Sequence, residues 1–241
     1  MGELPTIRCP LVPSPDDGGV INWNEIPSHC LQSATGDYSA EMAESLRTIF
    51  WSWLQFKIDI FALNNFRPSS VSICRTEFDL RVRFCCSDQD IWGTYVNRDD
   101  PLYEEEVVEV FLCPTGDLRH YYESEVSPRN VIFDAKVYSP DLHRGTMQVD
   151  IGWDCPGLET KVTVDGTLDD RTDTDRMWTV EMAIPFAAFP EVSPPKPGDV
   201  WRANFCRIDR ADPPEFSAWS PTGETPANFH VPEKFGYLEF E

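Results

Sequence analysis

From residue 78 onward the chain is a succession of short apolar segments separated by turn residues. In the segment 78–86 the side chains of Leu80, Val82 and Phe84 alternate with polar ones, which is typical of a β-strand with one buried face. Similar patterns follow at 107–112, 120–126, 131–138, 147–153, 161–168, 178–184, 200–208 and 235–240. About nine short strands and one long helical pattern predict an all-β antiparallel sandwich, of the jelly-roll or immunoglobulin-like kind, rather than a βαβ fold.

The N-terminal part has a different pattern. Residues 1–38 are rich in Pro, Asp, Gly and Ser, which predicts an irregular arm with one short strand near Val20 to Trp23. Between residues 39 and 52 apolar side chains recur at helical spacing, and between 54 and 60 they alternate with polar ones. A helix followed by a strand is therefore predicted as an insertion beside the sandwich.

The length of the chain bounds the number of domains. A chain of 241 residues is long for an average domain, but it is within the range of one β-sandwich with insertions and can bury a substantial core. We therefore interpret residues 1–241 as a single domain. In this interpretation the arm and helix–strand insertion, 1–66, pack on a sandwich core formed by 69–241.

The charge of the chain argues against two classes of partner. Acidic residues outnumber basic ones by 41 to 20, which gives a formal net charge of −21, and no run rich in Lys or Arg occurs. Nucleic acids and anionic membranes both require clustered positive charge, so neither is expected as a partner. No uncharged run approaches the ~20 residues that a membrane span needs. We expect the chain to be a monomer.

The cysteines predict neither a redox site nor a zinc site. The eight cysteines include no CxxC pair and no Cys/His spacing suited to zinc. Several lie inside apolar strand patterns, which favours buried thiols over a disulfide framework. The chain as given begins with neither the charged nor the apolar region of a secretory signal, and it has no N-glycosylation sequon. Together these features favour an intracellular setting.

One acidic turn carries enough oxygen for calcium. Asp169, Asp170, Asp173 and Asp175 lie within seven residues. The turn lacks the glycine and the terminal glutamate of an EF-hand, and turn capping or pairing with its own arginines explains the pattern equally well. No cofactor and no metal ligand are assigned, and a structural calcium ion is left open as an alternative.

The segment 107–112 contains a charge that its neighbours in sequence do not explain. Its apolar side chains lie on both alternating faces, which is typical of a central strand covered on both sides. Glu109 lies in the middle, and a buried carboxylate needs an arginine, a tyrosine or a ligand as partner. Tyr103 lies six residues earlier in a Pro-Leu-Tyr turn. A ring beside a fixed carboxylate suits a sugar, because the ring covers the apolar C–H face and the carboxylate accepts hydroxyl hydrogen bonds.

Motifs for several common enzyme chemistries are missing. No Gly-rich phosphate loop, G-x-S-x-G elbow or H-E-x-x-H pattern occurs, so no catalytic residue is assigned. A glycosidase needs only two carboxylates about 5 to 10 Å apart. With 41 acidic residues some pair will always meet that distance, so carboxylates by themselves discriminate nothing. The run Glu104 to Glu106 is interpreted as a solvated edge.

Several segments share their order and spacing with a known family. They are Asp99–Leu112 with the sequence DDPLYEEEVVEVFL, Tyr121–Asp134, Thr172–Pro185, and Ala218–Pro221 followed by Phe235–Leu238. In this arrangement they resemble the family 9 carbohydrate-binding modules, within the wider DOMON-like β-sandwiches, over about residues 69–241. The resemblance implies a non-catalytic sandwich that holds a terminal sugar between two aromatic rings, sometimes with structural calcium.

The resemblance also implies which residues contact the sugar. Tyr103 stands where one ring of the clamp is expected and Trp219 where the other is, and Glu109 is implied to bind hydroxyl groups. Trp219 is flanked by small polar residues in a Pro/Gly loop, which predicts an exposed ring rather than a core side chain. Further polar contacts are implied for Glu123, Arg129 and Asn204.

The sequence therefore predicts a non-catalytic carbohydrate-binding module for a mono- or oligosaccharide end. One alternative is a glycoside hydrolase that uses Glu109 with a second carboxylate such as Glu123. Another is a haem or redox module, although Met and His show no arrangement suited to axial ligands. A third is a sandwich that has lost sugar binding and serves as a scaffold.

Overall fold

The computed structural model describes residues 3–15, 21–35 and 67–241. The strands in these ranges are β1 (Thr6–Cys9), β2 (Ser28–Cys30), β3 (Gln32–Ser33), β4 (Ser69–Arg75), β5 (Asp79–Ser87), β6 (Val107–Cys113), β7 (His120–Val126), β8 (Ile132–Tyr138), β9 (Gln148–Asp150), β10 (Glu159–Asp165), β11 (Met177–Pro185), β12 (Val200–Asp209), β13 (Glu215–Ala218) and β14 (Gly236–Phe240). Short 3₁₀ turns lie at Leu102–Glu104, Arg144–Thr146, Phe186–Ala188 and Pro232–Lys234. No helix within the described ranges is long and apolar enough to cross a membrane.

The strands form two sheets that pack as a sandwich. The larger sheet has the order β1-β14-β12-β6-β7-β8-β9, and β13 pairs with both β12 and β3. The smaller sheet has the order β10-β11-β5-β4-β2. Neighbouring strands are antiparallel except for β1 and β14, which run parallel. The predicted antiparallel β-sandwich is confirmed.

The predictions for the N-terminal part have different outcomes. The short strand expected near Val20 to Trp23 is wrong for the described residues, because Asn22 and Glu25 close a turn there through a backbone hydrogen bond of 2.9 Å. The strand lies later, at Ser28–Cys30. The predicted helix and strand between residues 39 and 60 lie outside the described residues. The division of the chain into an arm, an insertion and a core stays a prediction.

The main core lies between the two sheets. Alternate residues of β6, such as Val108 and Val110, face Val82 and Phe84 of the smaller sheet and are at most 1% exposed. This alternation buries one complete face of each sheet, which is the main source of stability in a sandwich. Trp178 on β11 is the largest fully buried side chain in the described ranges.

A second apolar layer covers the opposite face of the larger sheet. Its buried residues are Ala34, Leu102, Val107, Phe111, Cys113, Tyr121, Phe133, Ala135, Val137, Cys206, Ile208, Ala218, Phe229 and Phe235. We call this the outer layer. Every residue of β6 is consequently buried, as its two-sided apolar pattern predicts. Any charged side chain on either face of β6 and its neighbours has to find its partner inside the protein.

One end of the space between the sheets is organised around a buried arginine. Arg207 on β12 is 1% exposed, and its Nη2 lies 2.7 Å from Asp88 Oδ2, 3.0 Å from Asp209 Oδ2 and 3.6 Å from Glu106 Oε2. Its Nη1 donates to Ser69 Oγ at 2.9 Å on β4, so this single side chain joins the two sheets. Glu106 is therefore buried, and the interpretation of Glu104 to Glu106 as a solvated edge is wrong for this residue.

The network around Arg207 predicts a large mutational effect. Arg207→Ala leaves three buried carboxyls without their cation, and we expect it to lower the free energy of unfolding by about 3–5 kcal/mol. Arg119→Ala is the control, since Arg119 is exposed and pairs with Asp117 in a surface turn. Urea unfolding of both variants measures the difference. Equal stabilities for the two variants would contradict a structural role of Arg207.

Candidate functional site

Three glutamates lie side by side on the outer face of the larger sheet. Glu109 of β6 pairs directly with Glu125 of β7, and Glu123 lies two residues from Glu125 on the same face of the strand. Oxygen atoms of the three carboxyls lie within 4.8 Å of one another. We call Glu109, Glu123 and Glu125 the glutamate cluster. It lies at the centre of the larger sheet, among the aromatic side chains of the outer layer.

The glutamate cluster is buried and incompletely hydrogen-bonded. The exposed fractions of Glu109, Glu123 and Glu125 are 3%, 3% and 1%. Within the described residues, Glu109 Oε1 and Glu125 Oε2 have no hydrogen-bond partner. A buried polar atom without a partner costs free energy, and each of these two oxygens can accept a hydrogen bond from a ligand.

Burial is the largest influence on the pKa of each of the three acids. Desolvation raises the pKa of Glu109 and of Glu125 well above the usual range, and the charges of the neighbouring cluster members raise them further. Desolvation raises the pKa of Glu123 to about 8. The guanidinium of Arg144 lowers the pKa of Glu109 and Glu123, and Arg210 lowers that of Glu109, without offsetting burial. The cluster therefore holds protons near neutral pH.

A buried histidine borders the cluster without neutralising it. His230 Nε2 lies 3.6 Å from Glu123 Oε1, and His230 Nδ1 lies 3.0 Å from the hydroxyl of Tyr121. Burial, together with the charge of Arg144, lowers the pKa of His230 to about 4. Near pH 7 the imidazole is neutral, so it can hydrogen-bond a carboxyl but cannot balance its charge.

Tyr103 provides an exposed aromatic ring beside the cluster. The side chain is 44% exposed, and its ring meets Phe133 edge-on with the centroids 6.1 Å apart. Burial, and after it the nearby carboxyl of Glu125, raises the pKa of the Tyr103 phenol. Arg210 donates to the Tyr103 carbonyl oxygen at 2.6 Å and lies over the ring of Phe216 at 5.3 Å. The site thus combines a ring open to solvent with buried carboxyls behind it.

The prediction that Trp219 is an exposed ring is wrong. Trp219 is 5% exposed and packs in the core between the sheets, with its ring centroid 5.7 Å from that of Phe205. A Cβ atom at Gly236 would lie 2.4 Å from the Trp219 ring, so the glycine makes room for it. The reason is strand alternation, since Ala218 at the end of β13 faces the outer layer and the next residue therefore faces the core.

Asn204 and Arg129 make their hydrogen bonds to groups outside the glutamate cluster. Asn204 is fully buried, and its side chain donates to the carbonyl of Ser220 and accepts from the backbone N–H of Ser220, both at 2.9 Å. Arg129 binds the carbonyl of Gly93 and the carboxylate of Asp169, in an open cleft beside Trp92. Of the six residues predicted from the sequence, the structure brings together Tyr103, Glu109 and Glu123.

Sequence reasoning missed four residues of this site. Glu125, Arg144, Arg210 and His230 all lie beside the carboxyls or influence their pKa. A signal for Glu125 was present, because a residue two positions from Glu123 on a strand lies on the same face. The other three come from loops far apart in sequence, and no local pattern indicates that they converge.

The acidic turn proposed for calcium is occupied by hydrogen bonds of the protein. Asp175 is buried and accepts from the backbone N–H groups of Ile91 at 2.7 Å and Thr167 at 2.6 Å. Asp169 binds Gly93 N–H and Arg129. In the described ranges, groups of three acids close enough for one metal ion lie elsewhere: the glutamate cluster, Asp88 with Glu106 and Asp209, and Asp99 with Asp134 and Asp154. Capping and arginine pairing thus involve Asp169 and Asp175, and the structural calcium ion stays a prediction.

The fold and the site define a class of protein. It is a β-sandwich that carries an exposed aromatic ring and buried carboxyl groups on the outer face of one sheet. The family model described as "Carbohydrate-binding family 9" matches residues 57–240. The match covers well over half of the chain, and the chain belongs to this family of carbohydrate-binding modules.

Individual proteins are also similar to this chain. An Arthroderma benhamiae protein named "Extracellular protein" is 28% identical over 184 residues, which are 73% of this chain and 79% of the relative. A solved structure from Bacteroides uniformis, assigned as carbohydrate-binding, has a TM-score of 0.65 at 18% identity and covers 98% of this chain and 99% of its own. A family 9 module from Caldicellulosiruptor kristjanssonii in complex with cellotriose has a TM-score of 0.57 at 14% identity, covering 98% and 94%. These solved structures confirm the fold.

The core position of Trp219 predicts a stability effect. Trp219→Ala removes a buried indole and leaves a cavity, and we expect it to lower the free energy of unfolding by about 3–5 kcal/mol. Trp92→Ala is the matched control, because Trp92 is half-buried under Arg171 at the surface. This variant should lower the free energy of unfolding by much less. Thermal unfolding of both variants makes the comparison. A melting temperature unchanged by Trp219→Ala would contradict the core position.

The raised pKa of Glu123 predicts a pH dependence of stability. A carboxyl with a higher pKa in the folded than in the unfolded state binds more protons when folded, so stability falls as pH rises from about 4.5 to 8. The expected slope is up to about 1.4 kcal/mol per pH unit for each proton. Glu123→Gln should flatten this slope, and the exposed Glu159→Gln should not. Denaturant unfolding between pH 5 and 8 measures it, and identical slopes for the two variants would refute the assignment.

Proposed function

We propose that this carbohydrate-binding module is non-catalytic and holds the end of a mono- or oligosaccharide between Tyr103 and the glutamate cluster. The observation that carries this proposal is the exposed Tyr103 ring beside buried carboxyl oxygens that have no partner among the described residues. The two kinds of group match the two kinds of surface on a pyranose, which is apolar on its C–H face and polar at its edge.

The chemistry of binding follows from this arrangement. A pyranose stacked on Tyr103 would direct hydroxyl groups toward Glu125, whose charge raises the pKa of the Tyr103 phenol. Each hydroxyl can donate to an oxygen that lacks a donor, such as Glu109 Oε1 or Glu125 Oε2, and so remove the cost of its burial. One ring and a few hydrogen bonds predict a Kd in the micromolar to millimolar range, because much of the gross interaction is offset on association.

The family supports the proposal, with one difference. The Caldicellulosiruptor kristjanssonii module has been solved with cellotriose and, in a second structure with a TM-score of 0.57 at 13% identity, with glucose. The sequence resemblance implied a clamp of two rings, but Trp219 is in the core. Among the described residues the exposed aromatic rings are Phe78, Tyr103 and Tyr237, and of these Tyr103 lies beside the cluster. We therefore propose a platform of one ring for this module.

A glycosidase is the second candidate. Retaining glycosidases have two carboxyls about 5 Å apart. Oxygens of the glutamate cluster lie within 4.8 Å of one another. Such an enzyme also needs one ionised carboxylate as nucleophile. Burial raises the pKa of all three glutamates, and the ionised form is therefore disfavoured in each of them. This argues for binding without turnover.

Titration with glucose, cellobiose and xylobiose tests the proposal. We expect each sugar to shift Tyr signals in NMR spectra at millimolar concentration, and Tyr103→Ala to weaken binding about 10-fold or more, by the stacking free energy of one ring. Tyr237→Ala is the matched control, because Tyr237 is also exposed but lies on β14 under Arg202.

The outcomes separate the candidates. Sugar recovered unchanged after prolonged incubation supports a binding module, whereas hydrolysis of the disaccharides that Glu109→Gln abolishes would establish a glycosidase. The proposed site is wrong if none of the three sugars shifts any signal at a concentration about 20-fold above the upper end of the expected Kd range. It is also wrong if the Tyr103→Ala and Tyr237→Ala variants bind the sugars equally well.

A further inference from the structure

The described ranges contain two groups of three buried acids, and the two groups differ in one respect. Asp88, Glu106 and Asp209 share Arg207, whose nitrogen lies between 2.7 and 3.6 Å from their oxygens. Around the glutamate cluster, no arginine or lysine nitrogen of the described residues lies within 4.0 Å of a carboxylate oxygen, and the one basic group that close is the neutral His230. Each acid of the first group thus has a guanidinium within 3.6 Å, whereas the second group has no charged nitrogen that close among the described residues.

We propose that the ligand supplies a cation to the second group, so that the preferred ligand of the site is the end of an amino sugar with a protonated amine, such as glucosamine or a glucosamine oligomer. The inference rests on the proposed function, because it places the same sugar ring on Tyr103. It adds the chemical class of sugar that the carboxyls select.

The spacing of the carboxyls fits an ammonium group. An ammonium attached to carbon has three N–H donors, and oxygens at about 2.8 Å along these directions would lie about 4.6 Å from one another. The three glutamates place oxygens within 4.8 Å of one another. Glu109 Oε1 and Glu125 Oε2 lack a donor in the described part of the chain, and both belong to side chains that are at least nine-tenths buried.

The charge around the site also fits a single positive group. The titratable and charged groups that face the cluster are Glu109 of β6, Glu123, Glu125 and Tyr121 of β7, Cys206 of β12, Tyr103 before β6, Arg144 after β8, Arg210 after β12 and His230 before β14. With the glutamates ionised, three negative charges meet two guanidinium groups and leave one negative charge. One ammonium balances it, whereas a divalent metal ion would leave an excess of positive charge beside Arg144 and Arg210.

Binding of an ammonium should displace protons. The empty cluster carries protons near neutral pH, because burial disfavours its ionised form. An ammonium is held more strongly by ionised carboxylates than by neutral carboxyls, and its positive charge favours their ionised form, so its binding releases cluster protons to the solvent. A neutral sugar can donate hydroxyl hydrogens while the cluster keeps its protons. Proton release therefore distinguishes the two modes of binding.

Calorimetric titration with D-glucosamine, D-glucose and N-acetyl-D-glucosamine at pH 6 tests the inference. The expected result is that glucosamine binds about tenfold more tightly than glucose, because hydrogen bonds between charged groups are about twice as strong as neutral ones. N-acetylglucosamine has no charge on nitrogen and should bind no better than glucose. Titration in two buffers of different ionisation enthalpy should show proton release with glucosamine and none with glucose.

Two variants complete the design. Glu125→Gln removes one acceptor charge but keeps the shape, so it should lower the affinity for glucosamine about tenfold more than the affinity for glucose and so abolish the preference. Glu159→Gln makes the same change in charge at an exposed position of β10 in the smaller sheet and should preserve the preference. Both variants are expected to fold, because neither introduces a buried charge.

The outcomes separate this inference from the proposed function. If glucose binds and glucosamine binds no more tightly, the inference is wrong and the sugar site stands. If no sugar of the panel binds, both fail. Calcium chloride is titrated in parallel, and calcium binding that is lost in Glu125→Gln but kept in Glu159→Gln would assign the cluster to a metal ion and overturn the inference.

Discussion

The burial of carboxyl groups in a sheet that is covered on both faces is the constraint on which this structure depends. Every residue of β6 is buried, so the acids on or beside it cannot be hydrated and need partners inside the protein. The two faces meet this need differently. Between the sheets, Arg207 lies 2.7 Å from Asp88 and 3.0 Å from Asp209, and it joins the layers. On the outer face Glu109 and Glu125 retain oxygens without donors, and no arginine or lysine nitrogen of the described residues lies within 4.0 Å of the cluster, which suits this face to a ligand.

The site follows from strand register and from a change of partner along β12. The first half of β12 pairs with β14 and the second half with β13, and Asn204 lies at the change. Its side chain binds both backbone groups of Ser220 where regular pairing stops, so it fixes the path of the chain after β13. This path sends Ala218 to the outer layer and Trp219 to the core. A polar residue implied as a sugar contact is thus part of the frame that supports the site.

Much of the fold could be predicted from the sequence, because two-residue alternation is a local signal. The alternation at 78–86 matches β5 (Asp79–Ser87). Glu109 can be identified from the sequence because a charged side chain is unusual in a strand that is apolar on both faces, whichever strands lie beside it. Trp219 was misassigned because its small polar neighbours resemble a loop, and the short β13 that sets its direction has only four residues. The approach of Arg144 and Arg210 depends on long-range packing, which no local pattern encodes.

The N-terminal strand has a consequence for how copies of this protein meet. β1 pairs in parallel with β14 and buries Ile7 and Cys9, and just beyond it the backbone of Pro10 and Val12 hydrogen-bonds Arg75 of the smaller sheet. The segment therefore covers the edge of β14 and then crosses to the other layer. Without it, β14 would offer a row of unpaired N–H and C=O groups on a flat edge, which is the usual template for self-association of β-proteins. The edge strand of the larger sheet is thus β1, with four residues in place of the five of β14, and a very short edge strand limits edge-to-edge aggregation.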